Sequence, residues 1–409
     1  MKITVISNLY PPISRGGAEK VAQRIVGELI RRGHDVLVIS TMPFSGLDSF
    51  FPFVREFVGE RVYRFFPLNI YHILNDRRVP YLLRAIWHLI DIWSPFPARQ
   101  VEKVLCKEKP DIVLTHNLKG LGFQAPRAIR RLNLPWIHTL HDVQLSVPSG
   151  LIFLNEKVTV LEKFFRWPYE IFIRRAIGVP DLVVSPSKFL INFYRQRNFF
   201  INAEVRVLPN PAPDYNLTSN NSGASGPLRL LFAGQLERHK GILDLLEAVN
   251  RLDIPIELHI AGSGRYSSLI KEHSEKDSRL IYHGFVSANQ LEQLFNLADA
   301  LVVPSVCYEN SPMIIYDSLQ AGVPVIASNI GGVEELIKDG QNGYLVEAGN
   351  VAVWVKTIKN FAEQRDSFRG RRQAIQASVA QYSLKKYVDK LELIMNNLIE
   401  GKKEENYEE

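Results

Sequence analysis

The chain has 409 residues, 46% of them hydrophobic and 22% charged. That is the composition of a soluble globular protein, too long for one hydrophobic core, so two domains are expected. Two cysteines far apart, Cys106 and Cys307, exclude a disulfide framework and point to a reducing, cytoplasmic compartment. The net charge of +6 conceals an asymmetry, because residues 1–226 carry 29 Lys+Arg against 18 Asp+Glu while residues 227–409 carry 20 against 25. A basic first half is drawn to anionic partners, and anionic lipid headgroups or a lipid-linked pyrophosphate fit it. Nucleic acid fits less well, since no basic run is interleaved with aromatics and no zinc-finger or RNA-recognition signature is present. No run of about 18 apolar residues is present to span a membrane.

In chain order, Ile3–Ser7 reads as a first strand, too short for the apolar region of a signal peptide. A loop with Pro11, Pro12, Gly16 and Gly17 leads into a helix over Ala18–Arg32, whose apolar residues Val21, Ile25, Val26, Leu29 and Ile30 follow the helical period. Gly33 stops it, and Asp35–Ser40 is the second strand. This is the opening of a doubly wound sheet, with a glycine loop at a helix start where a backbone can approach a ligand.

Residues 43–100 are rich in aromatics and prolines. A helix over Val79–Trp93 has an apolar face of Leu82, Leu83, Ile86, Leu89 and Ile90, with Tyr81, Trp87 and Trp93 elsewhere. The aromatics are either core or part of an amphipathic surface that touches a membrane beside Arg77, Arg78 and Arg84. Regular alternation then resumes: a helix over Ala98–Lys107, a strand Ile112–Thr115, a helix near Phe123–Leu132, a strand Trp136–Leu140, a strand Asp181–Ser185, a helix Lys188–Gln196 and a strand Val205–Leu208. Strand ends are followed by His116-Asn117 and His141-Asp142, at the edge where open parallel sheets bind ligands.

Residues 209–227, PNPAPDYNLTSNNSGASGP, form a linker without apolar periodicity. The pattern then restarts. Strands are expected at Arg229–Ala233, Glu257–Ala261, Leu280–His283, Ala300–Val303 and Val323–Ala327. Helices are expected at Ile242–Arg251, Tyr266–Lys276, Asn289–Ala298 and Pro312–Gln320, giving a second parallel sheet. Helical segments run from Val351 to Glu400, and an acidic, frayed tail follows at Glu404–Glu409.

Three segments of the second half could carry chemistry. Gly234 follows its first strand and permits close backbone approach, and Arg238 and Lys240 place positive charge before a helix start, which suits a diphosphate. Gly262 and Gly264, in Ala-Gly-Ser-Gly, form a tight turn near a ligand but do not complete a dinucleotide fingerprint. Residues 303–345 hold Glu309 and Asp317 eight positions apart around a helix start. Counted along a helix, eight residues return within about 80° of the starting direction. Two acids and a helix N-terminus could together hold the hydroxyls and phosphate of a nucleotide-sugar; they could equally be the surface acids of an ordinary strand–helix–strand unit. Neither a nucleophile elbow nor a Walker loop is present. His116, His138 and His141 lack the carboxylates or cysteines of a zinc site, and His138 and His141 would point to opposite faces of a strand.

These segments together resemble glycosyltransferase family 4, of the GT-B fold with two facing Rossmann-like domains. The resemblance runs through PPISRGGAEKVAQRIVGELIRRGHDVLVIS near the start, TLHD at 139–142, SPS at 185–187 and LPNP at 208–211. It continues through FAGQLERHKG at 232–241, HIAGSG at 259–264, HGFV at 283–286 and residues 303–345. It is weakest at 43–100 and 143–175, where the acceptor side would vary. It implies an acceptor-side domain over 1–208, the linker 209–227, a donor domain over 228–383, a helix at 384–400 crossing back to the first domain, and the tail 401–409.

It also implies retaining transfer of a sugar from a nucleoside-diphosphate-sugar to a saccharide or lipid-linked acceptor, without a metal or other cofactor. Lys240 would bind the diphosphate and Glu309 the donor sugar hydroxyls. The backbone of Asn310, Ser311, Pro312 and Met313 would hold phosphate, Asp317 the ribose and Gly17 the phosphates from the first domain. His141 would contact the sugar, and the base would rest near Gly284–Val286. Two positions depart from the family pattern: Gln235 stands where Arg is usual, so that Arg238 would compensate, and Asp317 stands where Glu is usual. The other reading these departures leave open is a non-catalytic nucleotide-sugar-binding protein of the same fold.

Overall fold

The computed structural model describes residues 1–154, 160–213 and 226–408. They fall into two compact units, one of Met1–Gly150, Val158–Pro209 and Leu384–Glu409, the other of Leu151–Lys157 and Asn210–Ser383.

The first unit is built on an eight-stranded sheet in the order β3-β4-β2-β1-β5-β6-β7-β8. Its strands are β1 (Lys2–Ile6), β2 (Asp35–Thr41), β3 (Phe53–Phe57), β4 (Glu60–Phe65), β5 (Ile112–Thr115), β6 (Trp136–Thr139), β7 (Leu182–Ser185) and β8 (Glu204–Val207). All pairs are parallel except β3 with β4. The central strands are buried almost throughout and largely apolar, because helices cover both faces, as a parallel sheet requires. Those helices are α1 (Gly17–Arg31), α2 (Tyr81–Trp93), α3 (Phe96–Glu108), α4 (Pro126–Arg131), α5 (Val160–Ile177) and α6 (Lys188–Arg195). The strand order reverses between β1 and β5, so the loops after these strands flank the crevice in which doubly wound sheets bind ligands.

Helix α2 turns most of its apolar face outward. Leu82, Leu83, Ile86 and Leu89 are exposed, whereas Trp87 and Ile92 are buried. The buried stripe is fixed by polar ends as well as rings: Trp87 Nε1 donates to Tyr71 O at 2.8 Å, and buried Asp91 accepts from the Gly120 N–H at 2.9 Å. The aromatics are thus divided, with Trp87 in the core and Trp93 exposed. The side chains of Arg77, Arg78 and Tyr81 lie outside the described residues.

The second unit has an all-parallel six-stranded sheet in the order β11-β10-β9-β12-β13-β14. The strands are β9 (Leu228–Ala233), β10 (Ile256–Ala261), β11 (Leu280–Gly284), β12 (Ala300–Val303), β13 (Val325–Ser328) and β14 (Gly343–Val346). Its helices are α7 (Ile242–Asn250), α8 (Ser267–Lys276), α9 (Ala288–Leu297), α10 (Met313–Gln320), α11 (Val351–Glu363), α12 (Arg365–Gly370) and α13 (Arg372–Val379). One apolar core joins the strands to α7, α10, α11 and α13. The order reverses between β9 and β12, and the loops after those two strands carry Gly234–Lys240 and Glu309.

The last helix, α14 (Leu384–Glu408), belongs to the first unit. Arg32 at the end of α1 donates to Asp389 at 2.7 Å and Glu392 at 2.6 Å, and Lys402 pairs with Asp181 at 3.2 Å. The acidic end is helical to Glu408. Residue 409 and most of the linker, residues 214–225, lie outside the described residues. Among the described residues no helix is long and apolar enough to cross a membrane.

Candidate active site

In the second unit, Gly234 directly follows β9, and its N–H donates to Ala261 O at 3.0 Å. Gly262 follows β10 with φ +139°, and a Cβ there would lie 1.8 Å from Gly234 O. Only glycine lets these two strand ends come so close, which brings both backbones to the same edge. A short 3-10 turn, Arg238–Lys240, then presents the two cations ahead of α7.

Lys240 Nζ donates to Glu309 Oε1 at 2.5 Å, and Ser305 Oγ donates to the same oxygen at 2.7 Å. Burial opposes charge on both partners and each overcomes it for the other. The Glu309 carboxylate holds the Lys240 ammonium above its ordinary range; Lys240 and the Ser305 hydroxyl hold the Glu309 carboxyl below its own. The pair is therefore ionised at neutral pH. An ammonium beside a carboxylate at a strand end can bind phosphate and hydroxyl groups side by side.

The loop between Glu309 and α10 is held from outside. Asn210 Nδ2 donates to Ser311 O at 3.0 Å, and Ser311 Oγ lies 2.7 Å from Tyr316 Oη. Asn310, Ser311, Pro312 and Met313 are all half-buried, and α10 opens only at Met313. This corrects the geometric argument joining Glu309 to Asp317. Glu309 lies outside the helix, so the helical angle does not relate the two acids, and Asp317 is buried within α10. Val286 is half-buried after β11 and packs on the unit's core.

Three residues to which the sequence reading gave no role bear on this loop. Gly331, at φ +67°, would place a Cβ 2.2 Å from Glu309 O, and the Gly332 N–H donates to that same oxygen at 2.7 Å. The Gly-Gly turn thus fixes the Glu309 backbone. Phe153 belongs to the second unit. It bridges to Cys307, and its flanks pair with Tyr308 and Val306 at 2.9 and 3.1 Å. The Arg238 guanidinium lies 5.7 Å from its ring centroid. The turn dipeptide was a usable signal for Gly331; nothing local marks Phe153 as crossing to this unit.

In the first unit, Gly17 is exposed at the start of α1, where Glu19 accepts from the Gly16 N–H at 2.9 Å. His116 follows β5 and His141 lies two residues beyond β6. Their rings stack with centroids 5.1 Å apart, and His116 Nδ1 lies 2.7 Å from His141 Nε2. His138, still in the strand, turns to Thr115 Oγ1 at 2.8 Å. His138 and His141 thus point apart, as strand alternation requires, while His116 meets His141. Burial pushes His141 down to about 4 and His138 to about 3, and holds His116 well below its usual value. All three are neutral at pH 7, so the His141 side chain is an uncharged polar group. Asp142 beside it is raised by burial to about 6. Among the described residues no group of three His, Cys, Asp or Glu side chains is arranged to hold a metal ion.

Two family models tile the chain: "Glycosyltransferase Family 4" matches residues 15–213 and "Glycosyl transferases group 1" residues 217–397. The chain belongs to the GT-B glycosyltransferases of the group 1 and family 4 type. Among curated relatives, glycogen synthase of Mycobacterium tuberculosis is 26% identical over 91% of this chain and 89% of its own length. The UDP-Gal:alpha-D-GlcNAc-diphosphoundecaprenol alpha-1,3-galactosyltransferase of Escherichia coli is 26% identical over 70% of this chain and 74% of its own. Among solved structures, Anabaena HepE in complex with UDP-glucose superposes with a TM-score of 0.66 at 17% identity, covering 97% of this chain and all of that one.

Proposed function

We propose that this glycosyltransferase uses a nucleoside-diphosphate-sugar and transfers its sugar, with retention, to a saccharide or lipid-linked saccharide in polysaccharide, lipopolysaccharide or glycolipid synthesis. The observation that carries the reading is the Lys240–Glu309 pair at the crevice edge of the second unit. Lys240, assisted by Arg238 and the backbone from Asn310 to Met313, meets the diphosphate. Glu309 meets the sugar hydroxyls, Asp317 the ribose, and Gly234, Gly262 and Val286 shape the nucleotide's bed. His141 and Gly17 keep the roles that the family resemblance implies, sugar contact and phosphate closure. The bond from the sugar's anomeric carbon to the diphosphate breaks, and the acceptor oxygen replaces it on the same face. The leaving charge is balanced by ammonium, guanidinium and backbone N–H groups, which supply the electrostatic stabilisation that a metal gives elsewhere.

The relatives support the donor class: one names UDP-galactose and a diphosphoundecaprenol acceptor, and one structure holds UDP-glucose. The basic first half supports an acceptor at an anionic membrane surface. A second reading, a non-catalytic binder, is favoured by Gln235 and by the burial of Asp317. A panel of UDP-, GDP- and ADP-sugars, assayed for thermal protection and for nucleoside diphosphate release in EDTA, separates the two. Turnover in the chelator with an unchanged anomeric configuration supports the enzyme. Protection without turnover supports the binder, and inversion or EDTA-sensitive turnover refutes the corresponding part of the mechanism.

A further inference from the structure

Thirteen of the twenty-two exposed large apolar side chains among the described residues fall between Phe44 and Trp93. That is about an eighth of the chain, so the exposed apolar side chains concentrate in one stretch. Helix α2 supplies its ridge. Leu82, Ile86, Leu89 and Trp93 recur every three or four residues and form one stripe. Leu82 is 73% exposed and Leu89 55%, while Trp87 and Ile92 take the inward positions.

The ridge is continuous with the β2–β3 connection. Phe96 opens α3 directly after it and meets Phe50 at 6.1 Å; Phe50 meets Phe44 at 5.6 Å. Exposed Leu47 lies between Phe44 and Phe50 in sequence and exposed Phe51 follows them, and a shallow cleft of about 430 Å³ opens there against Ser45, Phe51, Phe53 and Arg55.

Cations border the apolar ground. Arg99, Lys103 and Lys107, all exposed, lie four residues apart along α3. Lys103 Nζ sits 5.5 Å from the Phe51 ring centroid, Lys107 Nζ 5.6 Å from that of Tyr63, and Arg55 5.0 Å from that of Phe53. The acids of the same stretch are largely withdrawn. Glu60 accepts from Tyr10 at 2.8 Å, Glu108 from Tyr63 at 2.6 Å, and Asp91 is buried on Gly120. Asp48 and Glu56 are exposed, and Asp76 and Glu102 are half-buried, Glu102 paired with Arg131 at 3.3 Å.

We propose that this face, α2 with the Phe44–Arg55 segment and the α3 cations, is where the protein lies on an anionic lipid bilayer. The inference deepens the proposed membrane-surface acceptor and rests on that reading. Apolar side chains ringed by Lys and Arg are what an acyl boundary and anionic headgroups require together. A second copy of the chain fits less well, because a two-fold interface would bring the same cationic stripe onto both partners.

The test uses the full chain with vesicles of phosphatidylcholine alone and with phosphatidylglycerol added, at low and high salt. Wild type is expected to sediment with the anionic vesicles and to release at high salt. Leu82→Asp with Leu89→Asp should weaken vesicle binding by at least about tenfold. Arg99→Glu with Lys103→Glu should abolish the preference for anionic lipid. Ile201→Asp, at an exposed apolar site elsewhere, should change nothing, and donor turnover in solution should persist in all. The proposal is overturned if wild type ignores anionic vesicles or if the α2 variants bind as wild type does. It is also overturned if light scattering shows a dimer that the same variants split. Loss of soluble turnover in wild type with vesicle binding intact would refute the enzyme reading and leave the surface standing.

Discussion

Lys240→Met removes the charge that compensates Glu309. The Glu309 side chain is 12% exposed and Lys240 28%, so the carboxylate has little water to replace its partner and keeps only the Ser305 hydroxyl. Breaking a fully buried pair costs about 3 to 5 kcal/mol; with this partial exposure about 2 to 3 is expected. For a unit of this size that is roughly 4 to 12 °C in its melting temperature. Glu309→Gln should cost less, about 1 kcal/mol, because the longer Lys240 side chain reaches water. The double variant should regain most of the loss caused by Lys240→Met, since no uncompensated charge remains. Donor turnover should fall at least about 100-fold in each single variant and should not recover in the double. Thermal unfolding and donor turnover on all four proteins provide the cycle. A double variant as unstable as Lys240→Met would show that Glu309 does not depend on this ion pair. Activity recovered in the double would remove both residues from the chemistry.

Gly331→Ala introduces a Cβ 2.2 Å from Glu309 O at φ +67°; about 1 to 3 kcal/mol of strain is expected, with weaker protection by the donor, read by thermal shift. Phe153→Ala releases the ring beneath Arg238 and should raise KM for the donor several-fold with little change in kcat, while Phe153→Tyr should not; equal kinetics in both would leave Arg238 independent of the ring.

Acid should unfold the first unit. Burial depresses His72, His88 and His141 to about 4 and His138 to about 3, and it holds His116 well below its usual value. The unfolded chain therefore binds more protons at these sites as pH falls below about 6.5. Asp91, raised to about 7, Asp142, raised to about 6, and Glu60, also raised, act with the opposite sign. Five groups against three leave up to about two protons, so stability should fall by about 3 kcal/mol per pH unit between pH 6.5 and 5; below that Glu28, held low by Arg31, and Glu108, held low by Tyr63 and Lys2, steepen the loss. Denaturant titrations across that range check it; stability rising as pH falls would contradict it.

Both sheets were legible because buried parallel strands are short apolar runs and their helices carry the 3.6 period, from Ile3 through α1 to Asp35 and again from Leu228 onward. Less legible were elements whose local chemistry argues against them. The β3–β4 hairpin turns at Val58 and Gly59, both with positive φ, and a valine there carries none of the usual Asn or Asp turn signal. Helix α5 contains Pro168, which reads as a break. Periodicity identified the apolar face of α2 but not its direction, because the same stripe serves a core or a surface. In the site, residue types and strand ends marked Lys240 and Glu309, but their pairing depends on the β9–β12 crossover. The His116–His141 stack and the Phe153 contact join residues far apart in the chain, which spacing alone does not encode.

The central claim is that Glu309 and Lys240 serve transfer from a nucleotide-sugar. The most direct measurement is nucleoside diphosphate release by wild type and Glu309→Gln, with whichever nucleotide-sugar protects the wild-type protein against thermal unfolding. The account predicts turnover by wild type, and in Glu309→Gln a loss of at least about 100-fold with protection by the nucleoside diphosphate retained. Unchanged turnover in Glu309→Gln, or protection of wild type without any turnover, would contradict it.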